Sequence, residues 1–356
     1  MPSRPLSLLR LLLSLAATAA SAAEPAPCPT LPAPAAELAC VASEAGWFYA
    51  HDAGSAARIA EDALRTGEDF RRRFSRPPPR GAVIAGGAGF VLAPAAAQIL
   101  RDAGAAWQLP WLDASERREL QRLGIERQLR AQRPQASEAE IAALLEAALR
   151  RAPALQATDR SALRHEIGHA LLIHAFWPDA AGTSGAAHYG GPAQDWLDET
   201  AAVLMESEDM ADARRRRLAE PGERARLLPL EAFFAADHPL AARLAELRPS
   251  AAGGGIRVIS GEDAQRLSQE AGGFYAQARG VADFLIEASG DPAVFGDIAT
   301  FAAAGGDMAG WLSARGARYG LPTTVAALDA AWRRWLDAAV AAPPPRASGD
   351  AAERDG

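Results

Sequence analysis

The chain has 356 residues, of which 49 % are hydrophobic and 23 % charged, enough for one large or two modest globular domains with a sizeable core. Its 37 basic and 44 acidic residues leave a net charge of −7. No basic stripe interleaved with aromatics occurs, so nucleic acid is excluded as a main partner.

The first segment has the order of a secretory signal. Arg4 and Arg10 precede a short apolar run, Leu11 to Ala20, and the small residues Ser21-Ala22-Ala23 follow. Cleavage after Ala23 removes two arginines and no acid, taking the net charge from −7 to −9. The run is too short to span a bilayer comfortably, and the mature chain has no apolar stretch of membrane-spanning length. The expected product is an exported protein, periplasmic or secreted. Cys28 and Cys40 are the only cysteines; in an oxidising compartment they can pair within a Pro/Ala-rich linker, residues 24–45.

Helical spacing of Ala57, Ile59, Ala60, Ala63 and Leu64 predicts a helix from about Glu37 to Phe74, ended before Pro77-Pro78-Pro79. Two short strands are predicted at residues 81–86 and 89–92, with glycines between them. From Trp107 to Ala157 the pattern is helical again, with a helix start at Ser137 ahead of Glu138 and Glu140. A helix from about Asp159 to Phe176 is stopped by Pro178. After a Gly/Ala/Ser-rich loop to Pro192, another helix is predicted from near Asp195 into the arginine run. The clusters Arg71–Arg73 and Arg214–Arg217 both close helices, where cations suit the dipole and the solvent. Residues 223–260 read as irregular with one possible strand at 256–260. Residues 263–340 read as several helices with Trp311, Trp332 and Trp335 as core anchors. A disordered tail is expected over 341–356. The fold class is therefore mostly helical α+β with a small N-terminal sheet. The expected domain occupies residues 46–340, divided near residue 178 into an N-terminal subdomain and a helical C-terminal one.

The chemistry is concentrated in His165-Glu166-Ile167-Gly168-His169. At about 100° per residue, His165 and His169 share a helix face one turn apart and can ligate one zinc through ring nitrogens. Glu166 is offset around the helix, free to take a proton from a metal-bound water and return it to a leaving amine. Gly168 is costly inside a helix, so a close approach of other backbone or substrate is expected there. His174 lies about 180° from His165 and is read as packing or surface. A catalytic zinc needs a third protein ligand and an open position. The segment Asp195-Trp196-Leu197-Asp198-Glu199-Thr200-Ala201-Ala202 offers it on a second, antiparallel helix, with Ala202 leaving room for close contact. Asp198 and Glu199 both qualify; Asp198 alternatively orients a ligand histidine from behind.

The two segments together resemble the gluzincin metallopeptidases, in which a W-L-x-E-G-x-A type sequence supplies the third ligand. The resemblance implies a zincin-like fold with His165, His169 and Glu199 as zinc ligands and Glu166 as catalytic base. The Trp-Leu-x-Glu register favours Glu199 over Asp198. Thr200 stands where the family usually has Gly. The bacterial peptidase MA-like branch is the most similar in layout. There a helical opening like residues 47–74 precedes a strand like 82–85, a segment like 274–285 follows, and a helix like 328–336 closes the chain. The resemblance spans roughly Trp47 to Leu336, but only the two motifs are specific. An oxyanion donor is also required; Tyr275, His188 and Tyr189 are the candidates. No G-x-M-x-N-type segment marks residues 81–90, which points away from the aminopeptidase subclass. The implied function is exported, zinc-dependent hydrolysis of peptide bonds in a peptide or protein substrate. The alternative is a zinc-binding, non-catalytic envelope protein on a peptidase-like fold, for which an intact Glu166 has no use.

Overall fold

The computed structural model describes residues 26–87, 90–112, 114–151, 155–180, 191–239 and 262–341. The expected signal segment, His188, Tyr189, the possible strand at 256–260 and the expected tail beyond Ala341 lie outside the described residues.

A four-stranded sheet in the order β1-β2-β3-β4 is built from Ala39–Ser43, Gly46–Ala50, Gly81–Ala85 and Trp107–Trp111. β1 runs antiparallel to β2, while β2, β3 and β4 are parallel, with Phe48 opposite Val83 and Val83 opposite Leu109. The turn between β1 and β2 demands glycine. Gly46 has φ +138°, and a Cβ there would lie 1.8 Å from the carbonyl oxygen of Gly81. β2 and β3 are buried on both faces, as their uninterrupted apolar sequences require. Phe48, Ala50, Val83 and Ala85 face the main core, and Trp47, Tyr49, Ala82 and Ile84 face a smaller one.

Helix α1 (Ala53–Phe74) crosses the main-core face. It starts at Asp52, whose side chain accepts the Ser55 N–H at 2.8 Å. The opposite face is covered by α2 (Pro94–Asp102) and by the N-terminal strap. Cys28 and Cys40 are joined by a disulfide that fastens this strap to β1. The strap also accepts hydrogen bonds from the Trp47 indole at Pro27 O (3.2 Å) and from the Tyr49 hydroxyl at Pro29 O (2.8 Å).

Several features depart from the sequence expectation, among them the short helix Leu230–Phe234 within residues read as irregular and the strand β1 within residues read as a linker. The helix predicted from Glu37 begins only at Ala53, because the aromatic residues of β2 alternate across the sheet and Gly46 turns the chain back. The strand predicted at 89–92 is absent from residues 90–92, and the fourth strand is β4, where a helix was predicted. In β4, Trp107 is buried and Pro110 is exposed, a position an edge strand tolerates. The single helix predicted from Asp195 into the arginine run is two helices, Asp195–Met205 and Glu208–Ala219, broken at Glu206-Ser207.

After β4, α3 (Ala114–Gln132) and α4 (Glu138–Arg151) form a hairpin. Ser137 and Glu140 close a capping box at the start of α4, with the Ser137 N–H 2.8 Å from Glu140 Oε2. Next come α5 (Leu155–Phe176), α6 (Asp195–Met205), α7 (Glu208–Ala219) and the short α8 (Pro221–Arg224) and α9 (Leu230–Phe234). The C-terminal helices are α10 (Glu262–Ser289), α11 (Val294–Ala303), α12 (Met308–Arg315) and α13 (Val325–Ala341). Trp311 and Trp332 are fully buried anchors, whereas Trp335 is half-buried and donates to Glu287 Oε2 at 2.9 Å. Among the described residues no helix is long and apolar enough to cross a membrane.

Candidate metal centre

Helices α5 and α6 make the most extensive helix–helix contact in the molecule's described part. A Cβ on Gly168 would lie 2.9 Å from Ala202 Cα and 3.2 Å from Ala201 O. The glycine's cost in helix propensity is thus the condition for the two helices to touch backbone to backbone. Thr200, at the position where the gluzincin pattern has Gly, is buried and donates its hydroxyl to Trp196 O at 2.6 Å. The substitution is thereby satisfied within its own helix. Trp196 packs against Phe233 and Phe234 of α9, which holds the other side of α6.

This packing brings three donors together. His165 Nε2 and His169 Nε2 are 3.2 Å apart. Glu199 Oε2 lies 3.4 Å from His165 Nε2, and Glu199 Oε1 lies 3.7 Å from His169 Nε2. Both Glu199 oxygens are buried with no hydrogen-bond partner among the described residues, an arrangement that costs free energy unless something else satisfies them. Two ligands on one tetrahedral ion with bonds of about 2.0–2.1 Å are separated by about 3.3 Å, close to the spacing found. The residues present therefore fit a shared cation: His165, His169 and Glu199 form a buried group able to hold a metal ion.

The surroundings complete the electrostatics. His165 Nδ1 is 3.0 Å from Glu206 Oε1, and His169 Nδ1 is 2.9 Å from Asp198 Oδ1, the latter at ion-pair distance but out of hydrogen-bond alignment. Asp198 thus faces the Nδ1 side of His169, away from the nitrogen that meets His165 and Glu199. Burial lowers the affinity of both imidazoles for protons, but the carboxylates outweigh it in the metal-free protein. Glu199 and Glu206 raise His165 to about 9, and Asp198 and Glu199 raise His169 to about 10. Burial raises Glu199, and the two imidazoles more than reverse this, taking it down to about 2.

Glu166 is half-buried beside the two histidines. The Tyr275 ring, carried by α10, meets the His165 ring edge-on at 5.5 Å between centroids. His174 stands apart from the donor group, with burial lowering its pKa.

Two residues that the sequence did not single out belong to the centre. Glu206 sits in the break between α6 and α7. His238 is fully buried, with its Nε2 3.2 Å from Glu199 Oε1 and its backbone N–H donating to Asp195 Oδ2 at 2.6 Å. Neither lies in a periodic segment. The available signal was the Asp-rich start of α6 for His238, and for Glu206 the polar Glu206-Ser207 step after an all-apolar turn.

No protein-family model, no curated protein and no solved structure matches this chain. The centre therefore stands on its own geometry: a buried His/His/Glu group able to hold a metal ion, on two antiparallel helices beside a small sheet.

Proposed function

We propose that the protein is an exported, zinc-dependent peptidase of gluzincin type on a zincin-like fold. The observation that carries this reading is the convergence of His165, His169 and the hydrogen-bond-orphaned Glu199 on one point, with Glu166 next to the first histidine. Imidazole and carboxylate donors at this spacing suit zinc. Zinc held there supplies Lewis acidity toward a carbonyl and brings the pKa of water to about 7.

The chain's own residues do the rest. Glu166 accepts a proton as water attacks the scissile carbonyl, then delivers that proton to the departing amine, leaving a carboxylic acid and an amine that exchange the remaining proton to give carboxylate and ammonium. Asp198 holds the Nδ1 side of His169, which leaves His169 Nε2 facing the other donors. Tyr275, with its ring against His165, is the candidate for a further donor toward the developing oxyanion. The Cys28–Cys40 disulfide supports an oxidising, extracytoplasmic location and so the exported reading.

The test is zinc stoichiometry measured together with peptide-bond cleavage. One zinc per chain and cleavage by the wild type are expected, with metal lost in His169→Ala. Cleavage that persists undiminished in a fully zinc-depleted preparation would refute the assignment.

A further inference from the structure

We propose that Glu206 and Arg214 are positioning residues that preset the ligand His165, with Arg214 acting through Glu206. The inference rests on the metal-centre reading above and deepens it. It comes from a contrast between the two ligand histidines. Each has a carboxylate behind its Nδ1, but only the His165–Glu206 contact is aligned as a hydrogen bond, at 3.0 Å.

Glu206 is fixed from two sides. Its carboxylate takes both arms of Arg214, Nε on Oε2 at 2.6 Å and Nη2 on Oε1. This is the fork geometry that gives Arg–carboxylate pairs their directional strength. Oε1 therefore accepts from Arg214 and from His165 Nδ1–H at once. Its backbone is fixed as well. The neighbouring Ser207 N–H donates to the buried Ser161 Oγ at 3.1 Å, and Ser161 lies one turn before His165 on α5. The break between α6 and α7 is thus clamped to the metal-bearing helix at the level where Glu206 must point.

Arg214 is the least expected member. Its sequence neighbourhood, Arg214–Arg217, reads as a solvated helix end, yet only 14 % of its side chain is exposed. Its guanidinium also stacks over the Tyr275 ring at 4.8 Å, a contact that adds cation–π attraction. Tyr275 meets the His165 edge, so the guanidinium is held on both flanks of that histidine's support. With Nδ1–H committed to Glu206, the His165 ring is held with Nε2 facing His169 and Glu199, the nitrogen that a metal would take in exchange for its proton.

An amide cannot replace this carboxylate. Glutamine has one oxygen, and its NH2 would face an arm of Arg214, donor against donor. The test is zinc affinity by chelator competition on wild type, Glu206→Gln, Arg214→Lys and the double variant, with the metal-free thermal midpoint recorded for each. Glu206→Gln is expected to bind zinc about 10–100-fold more weakly. Arg214→Lys, which keeps the charge but not the fork, is expected to weaken it less. The double variant is expected to match Glu206→Gln within twofold. Should Glu206→Gln fail to fold, Glu206→Asp replaces it in both the single and the double variant, and is expected to weaken zinc binding with Arg214→Lys adding no more than twofold to that loss. Tight zinc binding by the wild type with both single variants unchanged overturns the inference alone. Strictly additive losses in the double variant overturn the claim that Arg214 acts through Glu206. A wild-type protein that binds no zinc overturns the metal-centre reading itself.

Discussion

Gly168→Ala sets two effects of known size against each other. Replacing glycine by alanine inside a helix contributes about 1 kcal/mol through propensity and the unfolded chain. Against that, the new methyl would lie 2.9 Å from Ala202 Cα, 3.0 Å from Met205 Cγ and 3.2 Å from Ala201 O. Two of these three neighbours are backbone atoms and cannot rotate away, so α6 must move from α5 by a few tenths of an ångström. Overpacking of this kind costs about 1–3 kcal/mol. The net expectation is destabilisation of about 0–2 kcal/mol. The same displacement moves Glu199 relative to His165 and His169, which sit on the opposing helix, so zinc affinity should fall about tenfold, on the order of 1.4 kcal/mol. Urea unfolding of the metal-free protein and zinc titration measure the two parts separately. A variant that gains the full 1 kcal/mol and binds zinc like the wild type would show that the α5–α6 contact does not set the metal geometry.

Other outcomes follow from the same structure. In the metal-free protein the carboxylates hold His165 and His169 at about 9 and about 10, above the 6.5 of a free imidazole. The stability this provides is fully present below pH 6.5 and is lost as pH rises through those values. Zinc must displace the protons, so apparent affinity should rise from pH 6 toward pH 9, with protons released into buffer on binding; calorimetry in buffers of different ionisation enthalpy detects them, and a pH-independent affinity contradicts the charge assignment. Replacing both cysteines by serine removes a cross-link between residues 12 apart in sequence, worth about 3 kcal/mol by loop entropy. Because the strap covers the sheet face away from α5, zinc affinity should stay within twofold while the urea midpoint drops. Thr200→Gly, which approaches the gluzincin pattern, loses the buried hydroxyl's bond to Trp196 O and helix propensity together. A loss of about 1–2 kcal/mol is expected, with no gain in zinc affinity; an increase in stability would show that Thr200 is strained.

What the sequence made legible was whatever a fixed period determines. The i, i+4 spacing of His165 and His169 needs only a helix, and Glu199 needs only that a second helix pack on the first. Gly168 and Ala202 marked that contact correctly from residue size alone. Illegible were the parts set by interruptions. Glu206 continues the turn of α6 in φ, but its extended ψ ends the helix there and redirects the chain, so that α7 brings Arg214 back onto its carboxylate. His238 arrives from the chain after α9, whose path no periodicity encodes. The β1–β2 hairpin was hidden because alanines around Cys40 and Ala50 suit a helix as well as a strand; the two-faced burial of β2 decided for the strand. The buried role of Arg214 was hidden by its three exposed or half-exposed neighbours, since composition describes the run and only the fold selects one member of it.

The central claim is tested most directly by profiling a peptide library with the zinc-loaded protein beside Glu166→Gln carrying the same zinc. Glu166 is not one of the three donors, so the variant should hold its metal. The account expects discrete cleavage by the wild type and turnover at least 100-fold lower in the variant, the loss of a positioned general base. Equal cleavage by both proteins, or full zinc occupancy with no peptide cut by the wild type, would contradict it.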